Sequence, residues 1–137
     1  MKVRLPEKLL KKIIEAGRNV LPEEPCGLIG GTEENGIREL KEVFVLENID
    51  HSNEHFSMDP KDQLNEVKEM RKKGIIPLGN FHSHPESPSR PSEEDKRLAY
   101  DKNASYMILS LMEKDDPVIN SFHIETNTSE KEELEIF

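Results

Sequence analysis

Two short apolar segments, Cys26-Gly27-Leu28-Ile29-Gly30-Gly31 and Ile75-Ile76-Pro77-Leu78-Gly79-Asn80-Phe81, each follow a stretch with helical spacing, and this alternation constrains the fold more than any other feature. Ahead of the first, residues 6–21 place Leu9, Leu10, Ile13, Ile14 and Leu21 on one helical face, with Pro6 tolerated in the first turn and Pro22 as a stop. Ahead of the second, Asp59-Pro60 supplies an N-cap and a first-turn proline, and Leu64, Val67 and Met70 are expected to point inward until Gly74 ends the helix. Between these units Glu33-Glu34-Asn35-Gly36 reads as a turn, because Asn-Gly is the preferred hairpin pair, and residues 37–47 return as the partner strand. Residues 48–57 are polar and without period, so they read as a loop. Downstream, Ser92 caps a helix expected to reach about Asp101, Tyr106 to Leu111 is an apolar strand, and Val118 to Glu125 is another. The stretch from Ser129 to Glu135 is acidic and shows no core pattern. Helices alternating with strands predict one α/β domain, and 137 residues suffice to bury a core without staples.

Composition narrows what such a domain can do. A formal net charge of −9 argues against nucleic-acid binding, which needs clustered Lys and Arg to neutralise phosphates. No apolar run approaches the roughly 18 residues of a membrane span, and Lys11 and Lys12 interrupt the apolar positions near the start, so no secretory core is read there and the cytoplasm is the expected address. Cys26 is the single cysteine, which excludes an intrachain disulfide and any multi-cysteine metal site. Metal binding must therefore draw on carboxylates and on His51, His55, His82, His84 and His123.

The second apolar strand runs directly into His82-Ser83-His84-Pro85. Alternation along a strand puts His82 and His84 on one face, where two imidazoles can share an ion. Catalytic zinc commonly takes three protein ligands and leaves a position for water. A third ligand must come from nearby. Asp95 lies eleven residues beyond His84, across a loop containing Pro85, Pro88 and Pro91, in the first turn of the helix capped by Ser92. Read alone, Ser92-Glu93-Glu94-Asp95 is a capping arrangement with an acidic first turn, and a lone His-x-His pair is commonly incidental. Their joint spacing is what points to a site.

This spacing, His-x-His-Pro followed by Ser92 and Asp95, resembles the signature of the JAMM, or MPN+, metallopeptidases, matching it at each position. Glu24-Pro25-Cys26-Gly27-Leu28 fits the upstream glutamate of that pattern, and Asn48, Phe56 and Asp59 fall where the family carries similar residues. The resemblance implies that His82, His84 and Asp95 hold zinc, that Glu24 is the general acid and base, and that Ser92 stabilises the oxyanion. It also implies a three-layer α/β fold, a mixed curved sheet flanked by helices with cytidine-deaminase-like architecture. The implied reaction is zinc-dependent hydrolysis of a peptide or isopeptide bond at the C-terminal tail of a ubiquitin-like protein. The short chain is similar to the compact stand-alone prokaryotic members, whose partners are sulfur-carrier proteins with a Gly-Gly tail.

Competing readings are weaker on stated grounds. His51-Ser52-Asn53-Glu54-His55 matches another zinc motif, His-x-x-Glu-His, but its polar, turn-forming neighbours cannot back a buried metal helix. Glu23 is expected to be a surface charge, Cys26 a buried strand residue, and His123 a surface residue on an edge strand. A domain of this fold without its ligands would be a non-catalytic protein-binding module, yet all the signature residues are present. Zinc deaminase sites need paired cysteines that this chain lacks.

Overall fold

The computed structural model describes residues 1–53 and 55–137. In chain order the elements are β1 (Lys2–Leu5), α1 (Glu7–Asn19), β2 (Cys26–Glu34), β3 (Ile37–Leu46), α2 (Pro60–Lys72), β4 (Ile76–His84), α3 (Glu93–Arg97), β5 (Ser105–Ser110), β6 (Val118–Glu125), β7 (Thr128–Lys131) and β8 (Glu133–Ile136). The strands form one sheet in the order β7-β6-β5-β4-β2-β3-β1-β8. Parallel pairing joins β4 to β5 and β1 to both β3 and β8, while the other ladders are antiparallel, so the sheet is mixed.

The two faces bury different residue sets. Phe81, Met107, Leu109 and Ile29 point to one face and pack with Ile13, Leu9 and Leu10 of α1. Tyr106, Ile108, Phe122 and Ile124 point to the other and pack against Ala99 just beyond α3. Helix α2 covers that second face, where the sulfur of Met70 fills the space a side chain at Gly30 would need. Helix, sheet and helix make the three expected layers.

Local sequence explains most of the boundaries. Asn35 and Gly36 both adopt positive φ, 53° and 77°, which suits a tight two-residue hairpin between β2 and β3. At Gly79 (φ 155°) the backbone lies so close to Ser105 that a Cβ would fall 1.8 Å from its carbonyl oxygen. The register of β2 against β4 skips a residue between Ile29 and Gly30, and Pro77 is accommodated beside this bulge in an interior strand.

Several expectations need correction. Helix α1 ends at Asn19, two residues before Leu21. In α2 the inward stripe is Gln63, Val67 and Met70; Leu64 is 55% exposed because the helix turns Met70 onto Gly30. Helix α3 stops at Arg97 rather than near Asp101, since beyond Leu98 the amides of Ala99 and Tyr100 bond to closer carbonyls and Ala99 packs into the core. Strands β1, β7 and β8 add to the pattern read from the sequence. Val3 and Leu5 of β1 are fully buried, and β8 pairs beside them through the acidic tail. Strand β6 is covered by β7, so His123 does not lie on an edge. Only Glu132 separates β7 from β8, which occupy opposite ends of the strand order, so the sheet curves until its ends meet at Ser121.

Candidate metal centre and active site

Strand β4 carries His82 and His84 on the face opposite α1, paired in register with Ile108 and Ser110 of β5. The proline-rich loop that follows is pinned to the sheet by side chains far away in sequence. Ser89 Oγ donates to the Ile108 carbonyl at 2.6 Å, Ser110 Oγ donates to the Ser87 carbonyl at 2.7 Å, and Asn120 Nδ2 donates to the Ser89 carbonyl at 3.2 Å. This pinning returns the chain over the strand end and starts α3 beside the histidines. Ser92 and Asp95 form a full capping box: Ser92 Oγ accepts from the Asp95 amide at 3.0 Å and the Ser92 amide donates to Asp95 Oδ2 at 2.9 Å.

The same Asp95 Oδ2 lies 3.2 Å from His82 Nε2 and 3.0 Å from His84 Nε2, and the two nitrogens are 3.2 Å apart. Three donor atoms separated by about 3 Å match the edges of a tetrahedron with bonds of about 2.0–2.1 Å, which measure about 3.3 Å. The Pro88 carbonyl lies 2.9 Å from His84 Nδ1 and can accept a hydrogen bond from its N–H, which leaves the Nε2 lone pair free to face inward. Phe56 stacks on the His82 ring with centroids 4.5 Å apart, closing one side. The residues present therefore fit a zinc ion. The site favours positive charge at its centre. Burial alone would raise the Asp95 carboxyl and lower the His84 ring, yet hydrogen bonds outweigh it in both: His82 and His84 hold Asp95 well below the usual carboxylate range, while Asp95 and Pro88 raise His84.

Glu24 completes the group from the segment between α1 and β2. A carboxylate oxygen of Glu24 and ring nitrogens of His82 and His84 all lie within 4.8 Å of one another. Its backbone is clamped on both sides, the amide donating to the Ser52 carbonyl at 2.7 Å and the carbonyl accepting from Asn48 Nδ2 at 2.9 Å. Burial pushes its carboxyl up from 4.5 to about 7, with Asp95 adding to the rise and His84 opposing it. A carboxyl poised there can hold or release a proton near neutrality.

All five residues expected at the site, Glu24, His82, His84, Ser92 and Asp95, are thus brought to one end of β4. Ser92 stands there as the α3 cap. Cys26 lies opposite His82 in the β2 ladder, and burial pushes its thiol up to about 12, which makes it a poor ligand or nucleophile. His51 is exposed between Glu23 and Glu47, and His55 pairs with Asp50, so these two rings face surface carboxylates; Glu54 of that motif lies outside the described residues. The anchors Ser89, Ser110 and Asn120 were invisible to sequence reasoning because their partners lie 19 to 31 positions away. From composition alone Asn48 read as a polar loop residue, and only the family resemblance singled it out.

Comparison with known proteins agrees with this arrangement. Residues 6–125 match the family described as prokaryotic homologs of the JAB domain. The chain is 25% identical to the CysO-cysteine peptidase of Mycobacterium tuberculosis over 116 residues, covering 85% of this chain and 78% of that protein. It is 31% identical to the desampylase of Pyrococcus furiosus over 91 residues, covering 66% and 61%. Among solved structures, a Desulfitobacterium hafniense protein superposes with a TM-score of 0.92 at 47% identity, covering 98% of this chain and 92% of that one. A JAB1/MPN domain protein from Archaeoglobus fulgidus shares the fold at a TM-score of 0.62 and 23% identity, covering 99% and 98%. With nearly the whole domain matched, the chain belongs to the family of prokaryotic homologs of the JAB domain.

Proposed function

We propose that this protein is a zinc-dependent hydrolase that cleaves peptide or isopeptide bonds at the C-terminal tail of a ubiquitin-like or sulfur-carrier protein. The observation that carries the reading is the convergence of His82 Nε2, His84 Nε2 and Asp95 Oδ2 within 3.2 Å, with the Glu24 carboxyl beside them. The peptidase and desampylase names of its relatives support the reaction class and the kind of substrate.

His82, His84 and Asp95 would hold the metal. Bound there, zinc supplies a Lewis acid that acidifies water toward neutrality and polarises a carbonyl. Glu24 takes a proton from the attacking water and delivers it to the leaving amine, a task suited to a carboxyl near 7. The Ser92 hydroxyl donates to the carbonyl oxygen as negative charge develops on it, while Ser92 Oγ keeps accepting the Asp95 amide. Cys26 has no part in a covalent step, since its thiol stays protonated. Among the described residues no helix is long and apolar enough to cross a membrane.

The test is elemental analysis of wild type, His82→Ala and Asp95→Ala, followed by turnover of carrier conjugates joined through a Gly-Gly tail, with Glu24→Gln as the inactive control. About one zinc per chain in wild type and little in the variants is expected. A wild type that takes up no zinc on incubation overturns the reading and leaves a protein-binding module in its place.

A further inference from the structure

Beside His82 and Asp95 opens a cavity of about 350 Å³, floored by the buried side chains of Tyr106 and Ile124 and walled by Phe56 and Met58. Leu98 and Tyr100 form its outer lip, and both reach solvent, Leu98 at 46% and Tyr100 at 86% exposure. A tight turn presents them there. The Leu98 amide donates to the Glu94 carbonyl at 2.9 Å and the Tyr100 amide to the Leu98 carbonyl at 3.0 Å, while Ala99 between them packs into the core. The Tyr106 hydroxyl fixes the far end, donating to the Asp101 carbonyl at 2.8 Å and accepting the Asp101 amide at 3.2 Å. Two large side chains are thus held out over the cavity on a segment tied down at both ends.

A lone exposed apolar residue needs no explanation, but apolar surface gathered at the mouth of a cavity that opens on the His82 and Asp95 cluster marks a contact with something else. The direction of the cavity says with what. It touches His82 and Asp95 but neither Glu24 nor His84, so it leads away from the carboxyl that, on the hydrolase reading, serves the leaving amine. That is the acyl side of the scissile bond, where the substrate's tail must lie. Leu98 follows Asp95 by about 4.5 Å of helix rise, and an extended chain advances about 3.3 Å per residue. Two small residues therefore bridge from the cluster to the lip, and the third presents its side chain there. Glu94 on the same wall disfavours an acidic side chain, and the apolar floor and lip disfavour a polar one. An apolar side chain of about leucine size is the match.

Resting on the hydrolase reading above, we infer that Leu98 and Tyr100 are specificity-determining residues that close on an apolar side chain at the third position counted back from the scissile bond, the residue ahead of a Gly-Gly pair. The experiment uses the Glu24→Gln chain, so that no bond is cut, alone and with Leu98→Ser or Tyr100→Ser added, all in zinc-containing buffer. Each is titrated with two acetylated peptides, one ending in Leu-Gly-Gly methylamide and one in Ser-Gly-Gly methylamide. Affinity is read from NMR shifts, and melting temperature is measured alongside. The parent is expected to bind the leucine peptide about tenfold more tightly than the serine peptide, and each added substitution to erase most of that preference. Because both replaced side chains are exposed, melting temperature should stay within about 2 °C of the parent. The ring signals of Tyr100, one of two tyrosines in the chain, should move with the leucine peptide. No binding or no preference in the parent, a preference that survives both substitutions, or a melting temperature that falls in both overturns the assignment. Turnover by wild type of full-length carrier conjugates with leucine or serine ahead of Gly-Gly, run in parallel, separates the two readings. Turnover indifferent to that residue removes the specificity alone, while a leucine preference in binding without any turnover removes the hydrolysis and keeps the lip as a peptide site.

Discussion

At the scale of single residues, Glu24 holds its carboxyl, the proposed proton-transfer group, in a place that costs stability. Its folded pKa, about 7, lies above the 4.5 ordinary for a glutamate because burial disfavours the charged form. Between those two values the folded chain keeps a proton that the unfolded chain releases, so stability falls as pH rises through that window. In chelator-treated protein, Glu24→Gln is therefore expected to gain on wild type from pH 5 to pH 8, by a few degrees in melting temperature. A constant difference across that range would show that the carboxyl is not buried as described. Ser92 offers a second residue-level test, because its cap and its proposed oxyanion contact have different signatures. Ser92→Ala should cost about 1 kcal/mol of stability through the lost cap. The Asp95 carboxylate keeps its bond from the Ser92 amide, but the Asp95 backbone is no longer held by the hydroxyl, so zinc affinity measured by chelator competition should fall by up to about tenfold. Ser92→Thr should restore both. A loss of kcat that Thr restores without any change in zinc affinity would assign the hydroxyl to the reaction alone.

Among the elements, the loop of residues 48–57 is the one whose order the sequence concealed. Asn48 organises it from within: Oδ1 accepts the amides of Asp50 and Ser57, both at 3.1 Å, and Nδ2 donates to the carbonyls of Glu24 at 2.9 Å and His55 at 3.1 Å. One buried amide thus ties the loop to the backbone of Glu24 and brings Phe56 onto His82. Replacing Asn48 by Ala leaves several buried backbone groups unpaired, and about 2–4 kcal/mol of destabilisation is expected in urea titrations, with faster amide exchange through the loop. Asn48→Asp keeps the two accepting contacts and loses the donating ones, so it should fall between. The elements that were legible from pattern, α1, the β2–β3 hairpin, α2, β4, β5 and β6, are those whose signals are local: caps, turn pairs and apolar runs. This loop is held by contacts from Glu24 to Ser57 that no periodicity records.

Over the whole molecule, the acidic end closes the sheet. The amide of Phe137 donates to the Leu5 carbonyl at 3.1 Å, the Phe137 carbonyl accepts the Glu7 amide at 2.6 Å, and Leu134 packs on the main core. Removing residues 132–137 uncovers one side of β1 and is expected to lower the melting temperature by more than about 10 °C. Glu135 forms exposed ion pairs with Lys2 and Arg4, and Glu135→Gln should move it by less than about 2 °C. The reverse ranking would mean that charge rather than pairing and burial holds this end. By itself the sequence determined the α/β alternation, the hairpin turn, the two histidines on one strand face and the helix cap carrying Asp95, because each depends on residues within a few positions of one another. Tertiary structure decided the rest. It brought Glu24 to His82 and His84 across some sixty positions and bent the sheet so that a tail without core pattern became its closing strand. Those outcomes depend on which distant surfaces exclude water together, and burial of that kind is a property of the assembled sheet and helices rather than of any local run of residues.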